Sequence, residues 1–274
     1  MAEAWIWGVV ALVGLMLWRR ALRALGVGAA VPANVAGRVL EAAETFGVLW
    51  ISAAVTRALA DLEPAARATW TAISGGTAVV VVVVSGRLVS RVFLQAAVGA
   101  SVAGGNTAAA VAAAGHVLAA SFVAADCLLA TTVGEWAVSV AAFTCASAAL
   151  HGLVSLFRAL TVYDDAAEIR GGNLAAGVSH AGVCAALGLV VGHAVHGEWR
   201  GFAESASAFG GALAWALALY PVRQALVETI LLGGPPRLRG GRIDEGVGRD
   251  RDVGLAALEA ASFLGMAMMA RSLA

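Results

Sequence analysis

Gly104-Gly105-Asn106-Thr107-Ala108-Ala109-Ala110 returns further along the chain as Gly171-Gly172-Asn173-Leu174-Ala175-Ala176-Gly177. In both copies a glycine pair and an asparagine stand immediately before a long run of small apolar residues. An asparagine side chain accepts a hydrogen bond from the free N–H groups that open a helix, and glycine permits the sharp turn ahead of it. A run of about 20 apolar residues fits the hydrocarbon core of a bilayer. Each copy therefore reads as a point where the chain, having crossed a membrane, turns back into it.

Composition supports the same reading. Of 274 residues, 60% are hydrophobic and 13% charged, with a mean hydropathy of +0.84. A soluble domain carries about 25% charged residues, so this chain lacks the polar surface to cover a water-facing core. It is a polytopic membrane protein by composition, with the lipid bilayer as its first partner. The formal net charge is zero, which gives no reason to expect nucleic acid. All eighteen cations are arginine, a coding bias before it is chemistry. Cys127, Cys145 and Cys184 lie in or beside apolar stretches without metal-ligand spacing and read as small buried hydrophobes. The acidic start Met1-Ala2-Glu3, with Arg19, Arg20 and Arg23 after the apolar run, is the order of a retained helix and not of a cleaved signal. No Walker loop, Gly-x-Ser-x-Gly or His-Glu-x-x-His motif is present, so neither enzyme activity nor a cofactor is expected.

The expected fold is all-α and integral to the membrane, with eight spans. They run over 4–18, 34–57, 66–87, 106–126, 136–158, 173–196, 202–232 and from 252 towards the C-terminus. Pro64 opens the third, and Pro221 predicts a kink near the inner end of the seventh. Val79 to Val84 would favour a strand in water, but in lipid only a helix satisfies its own backbone. The even spans open alike, at Asn34, Asn106, Asn173 and Asp252. Four repeated helical hairpins follow, grouped as two four-helix units over 1–130 and 131–274.

Fourteen of the eighteen arginines fall on the side of the loops that follow odd spans. The positive-inside rule then places both Gly-Gly-Asn turns in the cytoplasm and both termini outside it. Trp5, Trp7, Trp70, Trp136 and Trp199 fall at the opposite, outer ends as an aromatic belt.

The motif Gly-Gly-Asn-(Thr/Leu)-Ala-Ala, preceded in its second copy by Asp164-Asp165-Ala-Ala-Glu168-Ile-Arg170, resembles the YjfL-like bacterial inner-membrane proteins, the domain-of-unknown-function 350 family. The resemblance covers about 79–197, while Asn34 lacks the glycine pair and Asp252 replaces the asparagine. It implies two such units in tandem and a bacterial inner-membrane location. Members often occur beside ATP-grasp enzymes that ligate amines, which implies a link to polyamine biology.

Counted from each cap, positions three, seven and ten share one helical face. The face carries Glu41 and Glu44 in the second span, His116 in the fourth, His180 in the sixth and Glu259 in the eighth. The seventh position lies about 10 Å below the turn, inside hydrocarbon. An isolated charge there costs at least about 2.5–3.5 kcal/mol. Convergence of the four faces would make one polar cluster able to pass a proton or hold a cation, with His151 in reach. Three readings stay open: hydrogen bonding between helices, proton or cation handling, and a metal site. His193 and His196, near Glu198, read as a solvated helix end, and Asp164, Asp165 and Glu168 as a solvated loop. The Arg237–Arg251 loop would attract anionic lipid or an acidic cytoplasmic partner. Two functions compete: a small transporter using Glu41, Glu44, His116, His180 and Glu259, or a non-catalytic scaffold or sensor recruiting a partner through that loop.

Overall fold

With no water in hydrocarbon to take up backbone N–H and C=O groups, each crossing segment must close its own hydrogen bonds. The structure, a computed structural model, describes residues 2–27, 32–93, 98–196, 201–235 and 237–273. No strand occurs among them, and eight helices are long and apolar enough to cross a bilayer. The first two spans are α1 (Ala2–Ala24) and α2 (Val35–Ala58). The third combines α3 (Pro64–Trp70), a π-helical turn at Thr71–Gly75, and α4 (Gly76–Phe93). A short α5 (Val98–Ala103) precedes α6 (Thr107–Cys127), which is followed by α7 (Val133–Ala159). A short α8 (Asp165–Arg170) precedes α9 (Leu174–Ala194). The seventh span is α10 (Phe202–Arg223), continued by π-helical turns at Gln224–Leu231, and a short α11 (Arg242–Gly248) precedes α12 (Val253–Leu273).

The local expectations largely hold. Pro64 opens α3, and the six valines are helical. Proline has no N–H to donate, and the helix widens into π turns directly after Pro221. One feature differs from the sequence reading. The third span is not one continuous α-helix but is interrupted at Thr71–Gly75, where the Trp18 indole donates to the Gly76 carbonyl at 3.2 Å. The first span, expected over 4–18 but extendable through its arginine-bearing turn, runs on to Ala24, where Arg19 and Arg23 meet carboxylates on α2. Trp199 and Glu198 lie outside the described residues.

The four capped helices stand side by side in the order α2, α6, α9, α12. A β-carbon on Gly177 would fall 2.6 Å from the Ala108 carbonyl oxygen. One on Gly115 would fall 2.4 Å from the Ala181 Cα, and one on Gly188 2.5 Å from the Ala119 Cα. The paired numbers rise together, so α6 and α9 are parallel. Gly182 meets Ala260 of α12, and Gly47 of α2 meets Ser121 of α6, in the same sense. Where lipid tails are as apolar as the helices, close backbone contact drives association, and these residues provide it. α6 and α9, in the middle of the row, are buried along most of their length. α7 packs against both α6 and α9, and α10 against both α9 and α12. α4 lies on α6 and α2, and α1 on α2.

The turns that start the two central helices share one construction. α5 ends with Gly105 at φ +86°, its N–H returning to the Val102 carbonyl and the Asn106 N–H to that of Ser101. α8 ends the same way at Gly172, φ +82°, with bonds to Ile169 and Glu168. This is the Schellman ending that favours glycine. The asparagine then works in two directions. Oδ1 of Asn34, Asn106 and Asn173 accepts from the N–H of Gly37, Ala109 and Ala176 in its own helix. Nδ2 of Asn34 donates to Val102 and Ala103 at the end of α5. Asn106 donates to Ile169 and Arg170 at the end of α8, and Asn173 to Val247 in α11. Each cap thus ties its helix to the turn that launches the next one. The cap of α12 is an acid and only accepts. Asp252 takes the N–H groups of Gly254 and Leu255.

Gly188→Leu should lower detergent-solubilised thermal stability by about 1–3 kcal/mol through overpacking of α6 against α9. Gly210→Leu, where a β-carbon meets open space, should leave the melting curve in place. Asn106→Asp, which keeps the acceptor and loses the donor to Ile169 and Arg170, should cost about 0.5–1.5 kcal/mol, whereas Asp252→Asn should be neutral in the same melt.

Candidate functional site

The five ionisable residues expected to converge are divided among three places. Glu41 and Glu44 face the arginines of α1: Arg23 reaches Glu41 at 3.0 Å and Glu44 at 2.6 Å, and Arg19 Nε reaches Glu44 at 3.0 Å. Arg19 also donates to Thr45 Oγ1 at 3.1 Å. At the other end of the row Glu259 of α12 pairs with Arg223 of α10. Arg223 is 1% exposed, donates to Gln224 Oε1 at 2.6 Å, and lies between the rings of Tyr220 and Phe263. Only His116 and His180 meet. The physical reason is the row itself: α6 and α9 stand between α2 and α12, and each outer acid is held by an arginine of the helix beside it, α1 or α10.

The middle place is built from α6, α7 and α9. His180 Nε2 lies 2.9 Å from His116 Nε2, and both rings are buried. A neutral imidazole carries one donor and one acceptor nitrogen, so this contact requires one ring to donate from Nε2 and the other to accept there. Cys184 Sγ lies 3.7 Å from His116 Nδ1 and 3.9 Å from its Nε2. His151 of α7 presents its ring to His116 with centroids 5.6 Å apart. The glycine contacts explain the proximity. Gly115, beside His116, rests on Ala181, beside His180, and a side chain at that crossing would separate the rings.

His116 sits ten residues beyond the Asn106 cap, which at 1.5 Å per residue is about 15 Å into a core about 30 Å thick. His116, His180 and Cys184 form a set whose possible ligand atoms all lie within 4.8 Å of one another, and all three are buried. Cys184 is buried, as expected of a small hydrophobe, and it also lies against the two histidines, which its spacing to the other cysteines did not predict. It follows His180 by four residues, one turn along the same face, and that spacing was available in the sequence. Cys127 is buried and Cys145 exposed.

Other polar groups mark the two rims. Asp126 at the end of α6 takes a forked pair of bonds from Arg271 of α12, at 2.6 and 2.9 Å, with His196 at 3.4 Å. Gly192 of α9 packs against that carboxylate. His193 and His196 stack on each other with centroids 6.3 Å apart. At the turn side the acids ahead of Gly171 are not simply solvated. Asp164 caps α8 through the Ala167 N–H, Asp165 is buried against Arg158 and Thr161, and Glu168 accepts from Asn173. Asp244 of α11, which accepts the Val162 N–H at 3.0 Å, has its carboxyl pushed above the usual range by burial and then by the charge of Glu259. Burial pushes the Tyr163 hydroxyl up to about 12. Of the loop arginines, Arg242, Arg249 and Arg251 engage Leu232, Asp250 and Glu168, while Arg237 and Arg239 are exposed.

Breaking the Arg223–Glu259 pair from one side strands a buried charge, which costs about 3–5 kcal/mol. Arg223→Leu should therefore aggregate or melt far below the parent in detergent. The double change Arg223→Leu with Glu259→Leu should recover most of that loss, as read by the melting midpoint.

No curated protein and no solved structure matches the chain. A family model does match, that of the Domain of Unknown Function (DUF350), over residues 129–273. The match takes in α7 to α12 and Asp252, and so lies further along the chain than the 79–197 stretch on which the resemblance rested. Covering more than half of the 274 residues, it makes the chain a member of the DUF350 family.

Proposed function

We propose that this multi-pass protein of the bacterial inner membrane passes protons, or a small cation, through the buried imidazoles of His116 and His180. The observation that carries the reading is the 2.9 Å contact between their Nε2 atoms, made between two central helices at mid-bilayer depth. Two neutral imidazoles in contact form a relay element. A proton taken up on one ring is handed across the shared bond, and both rings then exchange donor and acceptor roles. Placing such a pair in hydrocarbon is costly for any ion that forms there, and helix association alone is already provided by the glycine contacts. Glu41, Glu44 and Glu259 serve in this reading as counter-ions that hold α1 and α10 onto the row.

The arginine asymmetry supports a cytoplasmic position for the turns of α6, α9 and α12, with both termini on the other side. Recruitment of an acidic partner or anionic lipid by the Arg237–Arg251 loop has less support, because three of its five arginines are engaged within the chain. No enzymatic step belongs to the proposal.

The test is proton movement into proteoliposomes reported by an entrapped pH-sensitive dye under an imposed potential. His116→Ala and His180→Ala should each reduce the rate at least tenfold while insertion and melting stay near the parent. Glu41→Gln should leave the rate within a factor of two. Unchanged movement in both histidine variants would refute the relay.

A further inference from the structure

Four facts about the middle cluster go beyond a pair of imidazoles. It contains a thiol, its donors come from both central helices, it is buried, and the acids expected to join it are held by arginines elsewhere in the row. We propose that His116, His180 and Cys184 hold one cuprous ion; this rests on the cation-handling reading above and names its cargo class, a soft monovalent metal.

The donor set argues for the element. Two imidazoles and one thiolate in a plane are the ligands of biological copper sites, and soft sulfur ligands select copper(I) or zinc over calcium and magnesium. Metal–nitrogen bonds of about 2.0–2.1 Å and metal–sulfur bonds of about 2.3 Å place the ligands of a trigonal ion roughly 3.5 Å apart. Cys184 Sγ is already at 3.7–3.9 Å from the His116 nitrogens. The imidazole pair at 2.9 Å need only open by roughly half an ångström to admit the ion, within the play of two side chains.

Charge argues for the oxidation state. The Cys184 thiol must lose its proton to bind, since the thiolate is the ligand. Binding is then the exchange of one Cu+ for one H+, with two neutral imidazoles completing the site, and the charge of the core does not change. A divalent ion in the same place would leave one positive charge uncompensated at mid-bilayer depth, where charge is disfavoured. Glu41, Glu44 and Glu259, the acids on the row's outer helices, are on Arg19, Arg23 and Arg223 and so are not free to neutralise it. Electroneutrality thus separates copper(I) from zinc(II), which the donor types alone do not do. The proton displaced from Cys184 goes to the buffer or chelator that delivers the ion, since both imidazoles are then ligands and no longer hydrogen-bonded to each other.

The experiment uses the full chain in detergent under anaerobic conditions, titrated with cuprous ion against a chromophoric copper(I) chelator. One equivalent should bind, with X-ray absorption showing one sulfur and two nitrogen neighbours. Cys184→Ser, a nearly isosteric change, should weaken binding at least 100-fold, as should His180→Ala, while Cys145→Ala should match the parent. Circular dichroism and gel filtration of each variant separate loss of the site from loss of the fold. Absence of stoichiometric binding in the folded parent would overturn the proposal. So would binding that survives Cys184→Ser, or one equivalent of zinc(II) held more tightly by the same residues. Histidine-dependent proton movement in metal-free vesicles without copper binding would remove the copper site and leave the relay. Copper binding with no histidine-dependent movement of either ion would remove the relay and leave the site.

Discussion

Everything in this molecule depends on how closely α6 and α9 approach. In lipid there is no apolar driving force between apolar helices, so contact distance decides whether they associate. Gly115, Gly177 and Gly188 each bring α9 or α6 so near its neighbour that no β-carbon fits between them. Such an approach is possible only between glycine and alanine, which is why the two central segments consist so largely of small residues. Once they touch along their length, His116 and His180 have no room to avoid each other. Packing and chemistry are thus one constraint at this crossing.

The asparagine caps extend the same order sideways. A cap that only accepted would finish one helix; by also donating, Asn34, Asn106 and Asn173 satisfy carbonyls left open at the end of the following short helix. Buried carbonyls at such an ending need a partner, and here the partner arrives from the previous segment. The register between successive helices is therefore fixed by backbone groups and not by side-chain fit alone. Asp252, which has no amide donor, only accepts, from Gly254 and Leu255 of its own helix.

Much of this is written locally and was legible in the sequence. The spans, their helical state through Val79–Val84, the role of Pro64, and the cap at Asn106 and Asn173 depend on neighbours within a few residues. The order of the row does not. Glu41 and Glu259 occupy the same depth as His180, and the sequence reading took equal depth for shared location. Depth is a one-dimensional property that each helix declares for itself. Which arginine faces which acid depends on lateral position, and that is set by the glycine contacts between helices. Arg223 and Arg19 gave no local sign of their partners. Cys184 does give one, a four-residue step from His180 that is visible in the spacing to histidine and not in the spacing between cysteines. The short helices α5, α8 and α11 were hidden for another reason: each is about two turns long or less, held by its ending and not by its propensity.

The two rims of the row are fastened by different means, and the difference has a mechanical meaning. On one rim, three asparagine clasps join each helix to the next, with the Arg158–Asp165 and Arg251–Glu168 ion pairs beside them. On the other, Asp126 of α6 and Arg271 of α12 reach over the glycine at the end of α9 and close the span with one ionic latch, next to His196. Where each clasp joins neighbours, this ion pair reaches past one helix to the next but one, so a bulkier residue at Gly192 would part α6 from α12 as well as from α9.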